Sequence, residues 1–149
     1  MRQKILSLEM SSDLISHISG ARRFFSELIS WFSKDERITD DMMTIFDEAL
    51  SNALRHAYPE GQHDIVKITL YIYERKGKKY FVLTIFDRGE MPEGIPTNLK
   101  DYHLDICEYL QKTNKIGGMG LPIISRLADK AYWKKVKGGK YLVAIKRFK

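Results

Sequence analysis

The chain has 149 residues, 44% of them hydrophobic and 11% aromatic. That suits one core rather than two and excludes global disorder. The single cysteine, Cys107, rules out an intrachain disulfide and fits a reducing compartment. No stretch approaches the ~18 apolar residues of a membrane span, and Glu9 and Asp13 come too early for a signal peptide. The expectation is a soluble cytoplasmic protein. A net charge of +6 favours anionic partners without choosing among nucleotide phosphates, acidic protein faces and nucleic acid. Much of the excess lies late, at Lys130, Lys134, Lys135, Lys137, Lys140, Lys146, Arg147 and Lys149, and reads as a charged solvent face.

In chain order, residues 3–9 alternate weakly and read as an edge strand. Residues 12–32 carry Leu14, Ile15, Ile18, Ala21, Phe24, Phe25, Leu28, Ile29 and Phe32 at helical spacing. Lys34-Asp35-Glu36-Arg37 reads as a charged break. A second helix is expected from about Thr39 to Ala57, with Ile38, Met42, Ile45, Phe46, Ala49, Leu50 and Ala53 as its apolar arc. Pro59 and Gly61 end it. Strands follow over 64–74 and 79–87, each with one apolar face, joined by a turn at Lys76-Gly77-Lys78. Residues 88–117 read as an irregular lid containing a short helix over 101–112. A further helix follows the glycine run and extends to about Asp129, with Pro122 in its first turn. The end, 131–148, reads as a hairpin around Gly138-Gly139 with Tyr141, Val143 and Ile145 alternating. This order predicts an α+β, two-layer sandwich: three main helices on one face of a mostly antiparallel sheet.

Three short segments have chemistry to offer. Glu48 and Asn52 lie four apart, so they share a helix face roughly 40° apart at the margin of the apolar arc. A carboxamide there suits Mg²⁺, and a carboxylate suits proton acceptance; a solvated pair is the plainer alternative. Asp87 falls on the same strand face as Phe81, Leu83 and Ile85, so it needs a partner, for which an adenine amino group is one candidate. Asp87-Arg88-Gly89 also reads as a simple strand-end turn, and Gly89 permits close backbone approach. Gly117-Gly118-Met119-Gly120 precedes a helix, where free N–H groups and the helix dipole suit phosphate. It is neither a P-loop nor a Rossmann fingerprint. His56 falls within the apolar arc and reads as a core histidine, and no Cys/His cluster has zinc spacing.

Taken together and in this order, Glu48-Ala49-Leu50-Ser51-Asn52, Asp87-Arg88-Gly89 and Gly117-Gly118-Met119-Gly120-Leu121 resemble the three boxes of the ATPase superfamily of histidine kinases, gyrase B, Hsp90 and MutL. Within it, the run from Asp47 to Tyr58 and the stretch from Gly118 to Asp129 are similar to the bacterial anti-sigma factor serine kinases. The resemblance spans nearly the whole chain. It implies ATP and Mg²⁺ as ligands, with Glu48 as catalytic base and Asn52 on Mg²⁺. It also implies Asp87 on the adenine amino group, Gly89 in the adenine pocket, and Gly117, Gly118 and Gly120 at the phosphates. Some members place an arginine just before the third box. Here that stretch holds Lys115, a point charge without the arginine fork.

Members of this kind phosphorylate a serine on an anti-anti-sigma STAS-domain protein, sequester a sigma factor and commonly dimerise through the first helix. Arg22, in Ala21-Arg22, falls where that helix meets partners. No membrane and no direct nucleic-acid contact are expected. The alternatives are a non-catalytic ATP-dependent binding module, a detached histidine-kinase catalytic domain and a basic nucleic-acid binder. The last lacks a groove-reading motif.

Overall fold

The computed structural model describes residues 1–13, 18–56, 58, 62–101 and 120–148. The chain opens with β1 (Arg2–Ser11), α1 (Ile18–Phe32) and α2 (Glu36–His56). Next come β2 (Ile65–Arg75) and β3 (Lys78–Asp87), a 3₁₀ turn at Leu99–Asp101, α3 (Gly120–Leu127), β4 (Lys130–Val136) and β5 (Gly139–Phe148). The five strands form one sheet in the order β1-β2-β3-β5-β4, and every neighbouring pair is antiparallel. The three helices pack as a layer on one face, with α2 central against both α1 and α3. The expected α+β sandwich is therefore the fold. Among the described residues, no helix is long and apolar enough to cross a membrane.

The core forms where the helical and strand periodicities meet. Met42, Ile45, Phe46, Ala49, Leu50 and Ala53 are buried on α2, as the apolar arc predicts. They face Val66, Ile68 and Leu70 of β2 and Phe81, Leu83 and Ile85 of β3, which alternate inward. Phe25 stacks on Phe46 with centroids 4.3 Å apart, fixing α1 to α2. Phe81 stacks on Phe148 at 3.8 Å, fixing β5 to β3.

Element ends differ from the sequence expectations for physical reasons. The second helix starts at Glu36, not near Thr39, because Asp35 caps it: its Oδ1 accepts the Arg37 N–H at 3.0 Å. Lys34 and Asp35 thus lie in the expected break between the two helices, while Glu36 and Arg37 already belong to the second. The first strand runs on to Ser11, past the expected end at residue 9, and Ser12 N–H donates to the Asp64 carbonyl at 2.8 Å, so the chain is still tied to the sheet where the first helix is expected to begin. Lys76 and Gly77 both take positive φ, 51° and 72°, the two-residue geometry that matches strand twist.

The first part of the expected lid is anchored. Trp133 N–H donates to Thr97 O at 2.8 Å, Asn98 bridges Tyr132, and Leu99 is completely buried. The short helix expected over 101–112 falls almost entirely in 102–119, outside the described residues, as does Cys107.

Candidate functional site

Helix α2 carries Glu48 and Asn52 one turn apart on the flank that looks toward α3 and the end of β3. Together with Asp87, Gly120 and Trp133 they line one cavity of about 380 Å³, a volume in the small-molecule range. The contact at Gly120 is close: a Cβ built there would lie 2.7 Å from Glu48 Oε2. A glycine is what lets the amino-terminal end of α3 stand against this carboxylate. The cavity therefore has an acidic group and a carboxamide on one wall, and the first turn of a helix beside them.

Asp87 ends β3 on the helix-facing side, 1% exposed, on the same face as Phe81, Leu83 and Ile85. The strand-end turn and the need for a partner are both seen here. Its Oδ1 accepts the Gly89 N–H at 2.8 Å, closing the strand-end turn. The same oxygen also accepts from Lys140 Nζ at 2.5 Å. The partner this buried carboxylate requires within the protein is thus a lysine. Sequence reading missed it and placed Lys140 on a solvent face, yet the residue is 4% exposed. The correction comes from register: β5 pairs Lys140 with Asp87, so Lys140, Leu142 and Ala144 point inward, while Tyr141, Val143 and Ile145 line the outer face. Trp133, inward on β4, supports the ammonium with its ring centroid 5.4 Å from Nζ. Its own Nε1–H is buried with no partner among the described residues.

A second residue that sequence reading missed is Tyr58. Its hydroxyl donates to Ile65 O at 2.6 Å and accepts the Arg88 N–H at 2.9 Å. It ties the segment after α2 to the start of β2 and to the turn that carries Asp87. Burial pushes its phenol above the ordinary range; the Arg88 hydrogen bond acts the other way and is the smaller effect. A tyrosine just past a helix end gives no sequence signal for this role.

Arg22 lies on α1, half exposed, with Nε donating to Asp47 Oδ1 at 2.9 Å and Oδ2 at 3.1 Å. That hydrogen bond, and then the Asp47 charge, raise its pKa. Arg22 thus braces α1 against the residue preceding Glu48 and stands apart from the cavity lining. Lys115, Gly117, Gly118 and the side chain of His56 lie outside the described residues. Among the described residues, no three His, Cys, Asp or Glu side chains cluster as a metal cage.

The residues fit an adenine nucleotide. The cavity has a buried carboxylate at one end, an indole N–H with no partner among the described residues, and a helix start held close by glycine. No curated protein matches the chain in a sequence comparison. The profile of the family described as "Histidine kinase-like ATPase domain" matches residues 10–146, spanning every element from the end of β1 into β5. Such a domain points to ATP binding and to kinase or ATPase chemistry. With that match over most of its length, the chain belongs to the histidine kinase-like ATPase domain family.

Proposed function

We propose that this protein binds ATP with Mg²⁺ and transfers the γ-phosphoryl group to a serine of an anti-anti-sigma STAS-domain protein, sequestering a sigma factor in the partner's absence. The observation that carries this reading is the convergence of three segments remote in sequence, carrying the pair Glu48 and Asn52, then Asp87, then Gly120, around one cavity. Glu48 takes the proton of the incoming serine hydroxyl. Asn52 lends an oxygen to Mg²⁺, and Asp87 accepts from the adenine amino group beside the turn at Gly89. The backbone N–H groups of Gly117, Gly118 and Gly120, with the start of α3, meet the phosphates, and Lys115 adds positive charge. Mg²⁺ supplies charge neutralisation on the transferring group; positioning by the protein does most of the remaining work.

The test is incubation with labelled ATP, Mg²⁺ and the STAS-domain proteins of the same genome, scored for phosphoserine. Glu48→Ala is expected to retain ATP binding and to lose transfer by ~10²–10⁴-fold. Labelling of none of these proteins by the wild type, or equal labelling by the variant, refutes the kinase reading. One sequence feature favours a non-catalytic, ATP-dependent binding module instead: Lys115 stands where some members carry an arginine. That reading expects no phosphoserine and partner capture that survives Glu48→Ala.

A further inference from the structure

Lys140 presents a problem that the proposed function leaves unsolved. Lysine is rarely buried, because removing its charge from water is costly unless it is paired. Here the Lys140 and Asp87 side chains are only 5% and 2% exposed, 53 residues apart in sequence, and both line the cavity. Gly139 enforces the arrangement. A Cβ on it would collide with the Asp87 carbonyl oxygen and the Phe86 ring, so only glycine brings the start of β5 this near to the end of β3.

The hydrogen-bond inventory shows what the pair offers a ligand. Asp87 Oδ1 is occupied twice, by Gly89 N–H and by Lys140. Among the described residues nothing donates to Oδ2. An ammonium has three N–H donors, and among the described residues Lys140 uses one. At the same end of the cavity, therefore, an acceptor and a donor with no further partner among the described residues stand side by side. A carboxylate alone recognises any N–H. A carboxylate beside an ammonium demands a ligand edge with a donor next to an acceptor, and it leaves a buried charge poorly satisfied when the acceptor is missing. The 6-aminopurine edge has this pattern, with its exocyclic amino group adjacent to ring nitrogen N1.

We propose that Lys140 is a specificity-determining residue: it donates to the ring nitrogen N1 while Asp87 accepts from the neighbouring amino group. This rests on the ATP-binding reading above. In the absence of ligand, the Asp87 ion pair and the Trp133 face hold the ammonium in place. On binding, it needs only to turn one N–H toward the base.

Calorimetry on the full chain with Mg²⁺ tests this, comparing ATP, 1-deaza-ATP (C–H in place of N1) and GTP on the wild type and on Lys140→Met. The wild type is expected to bind 1-deaza-ATP at least about tenfold more weakly than ATP, the usual loss for a hydrogen bond to a charged group. Lys140→Met is expected to bind both adenine nucleotides weakly and equally. Because that variant leaves the buried Asp87 carboxylate without its lysine partner, which can itself prevent folding, the wild-type comparison decides on its own. Equal wild-type affinity for ATP and 1-deaza-ATP overturns this proposal alone. So does preference for GTP, or tighter ATP binding by Lys140→Met, which would make Lys140 a plug. Absence of any heat with ATP overturns the ATP-binding reading and this proposal with it.

Discussion

Gly120 and Glu48 stand so close that one added methyl group on the glycine would reach within 2.7 Å of the carboxylate oxygen Oε2. The obstructed atom is the far end of a flexible side chain, so the fold has a way to yield: the glutamate swings aside. Gly120→Ala is therefore expected to keep the wild-type melting temperature within a few degrees while displacing the proposed base. A displacement near 1 Å costs on the order of 10²-fold in rate. Thermal melting beside a phosphotransfer assay separates the two effects. An unchanged rate would show that Glu48 has no fixed position to lose.

Gly139 is the opposite case. The nearest atom in its way is the backbone oxygen of Asp87, which has no rotamer to escape into, and the Phe86 ring crowds the same space. Gly139→Ala is expected to lower stability by ~1–3 kcal/mol, the range for overpacking. In urea titration this appears as a lower midpoint with an unchanged slope.

The Tyr58 hydroxyl predicts an alkaline limit. Its folded pKa is raised, chiefly by burial, so the native state favours the neutral phenol. Below the unfolded value near 10, the phenol is protonated in both states and its contribution is fully present. As pH rises past that value, the unfolded chain ionises first, and stability is lost through the folded pKa. Denaturant titrations at pH 9 and above are expected to show this fall in the wild type and a shallower one in Tyr58→Phe. The variant also loses the bonds to Ile65 and Arg88, so it starts lower at neutral pH.

Leu99 is fully buried at the head of the 3₁₀ turn, and its carbonyl accepts the Ser125 hydroxyl at 2.7 Å, while Lys100 Nζ donates to the Ser125 carbonyl. Leu99→Ala is expected to cost ~2–5 kcal/mol, as core truncations do, and to loosen residues 97–101. Hydrogen exchange at the Trp133 amide, bonded to Thr97, reports that loosening.

The homodimer implied by the family resemblance also has a measurable consequence. Phe24 and Trp31 on α1 are 52% and 78% exposed, unusual for large apolar groups on one helix. If a second copy covers them, Trp31→Lys shifts sedimentation of the dimer to that of a monomer and leaves far-UV ellipticity unchanged.

Much of the architecture was legible because its periods were clean. The α2 arc from Met42 to Ala53 and the inward β3 set Phe81, Leu83 and Ile85 have single readings, and burial follows them. Elsewhere the chain was ambiguous. In β5 both alternating sets are apolar: Tyr141, Val143 and Ile145 against Leu142 and Ala144. Only pairing with β3 decides that Lys140 turns inward. No local pattern encodes a register between segments 53 residues apart. Asp35 was hidden differently, since a capping aspartate within a run of charges looks like surface. The segments that carry Glu48, Asn52, Asp87 and Gly120 were visible as motifs, because backbone approach and hard-ligand chemistry restrict residue choice. Tyr58 and Lys140, which support them, are ordinary residues made special only by three-dimensional neighbours.

Lys146, on the inward side of β5, donates to the Leu127 carbonyl at 2.7 Å and pairs with Asp41 at 3.1 Å. One ammonium thus pins the tail of α3 to a strand and to the helix that bears Glu48, in the place where a cation best complements the helix dipole. With Lys100 held on the Ser125 carbonyl as well, α3 has two moorings behind its glycine end. It is a fixed bollard. A substitution that frees Lys146 removes one of the two ties, and the wall of the cavity that this helix forms is expected to loosen with it.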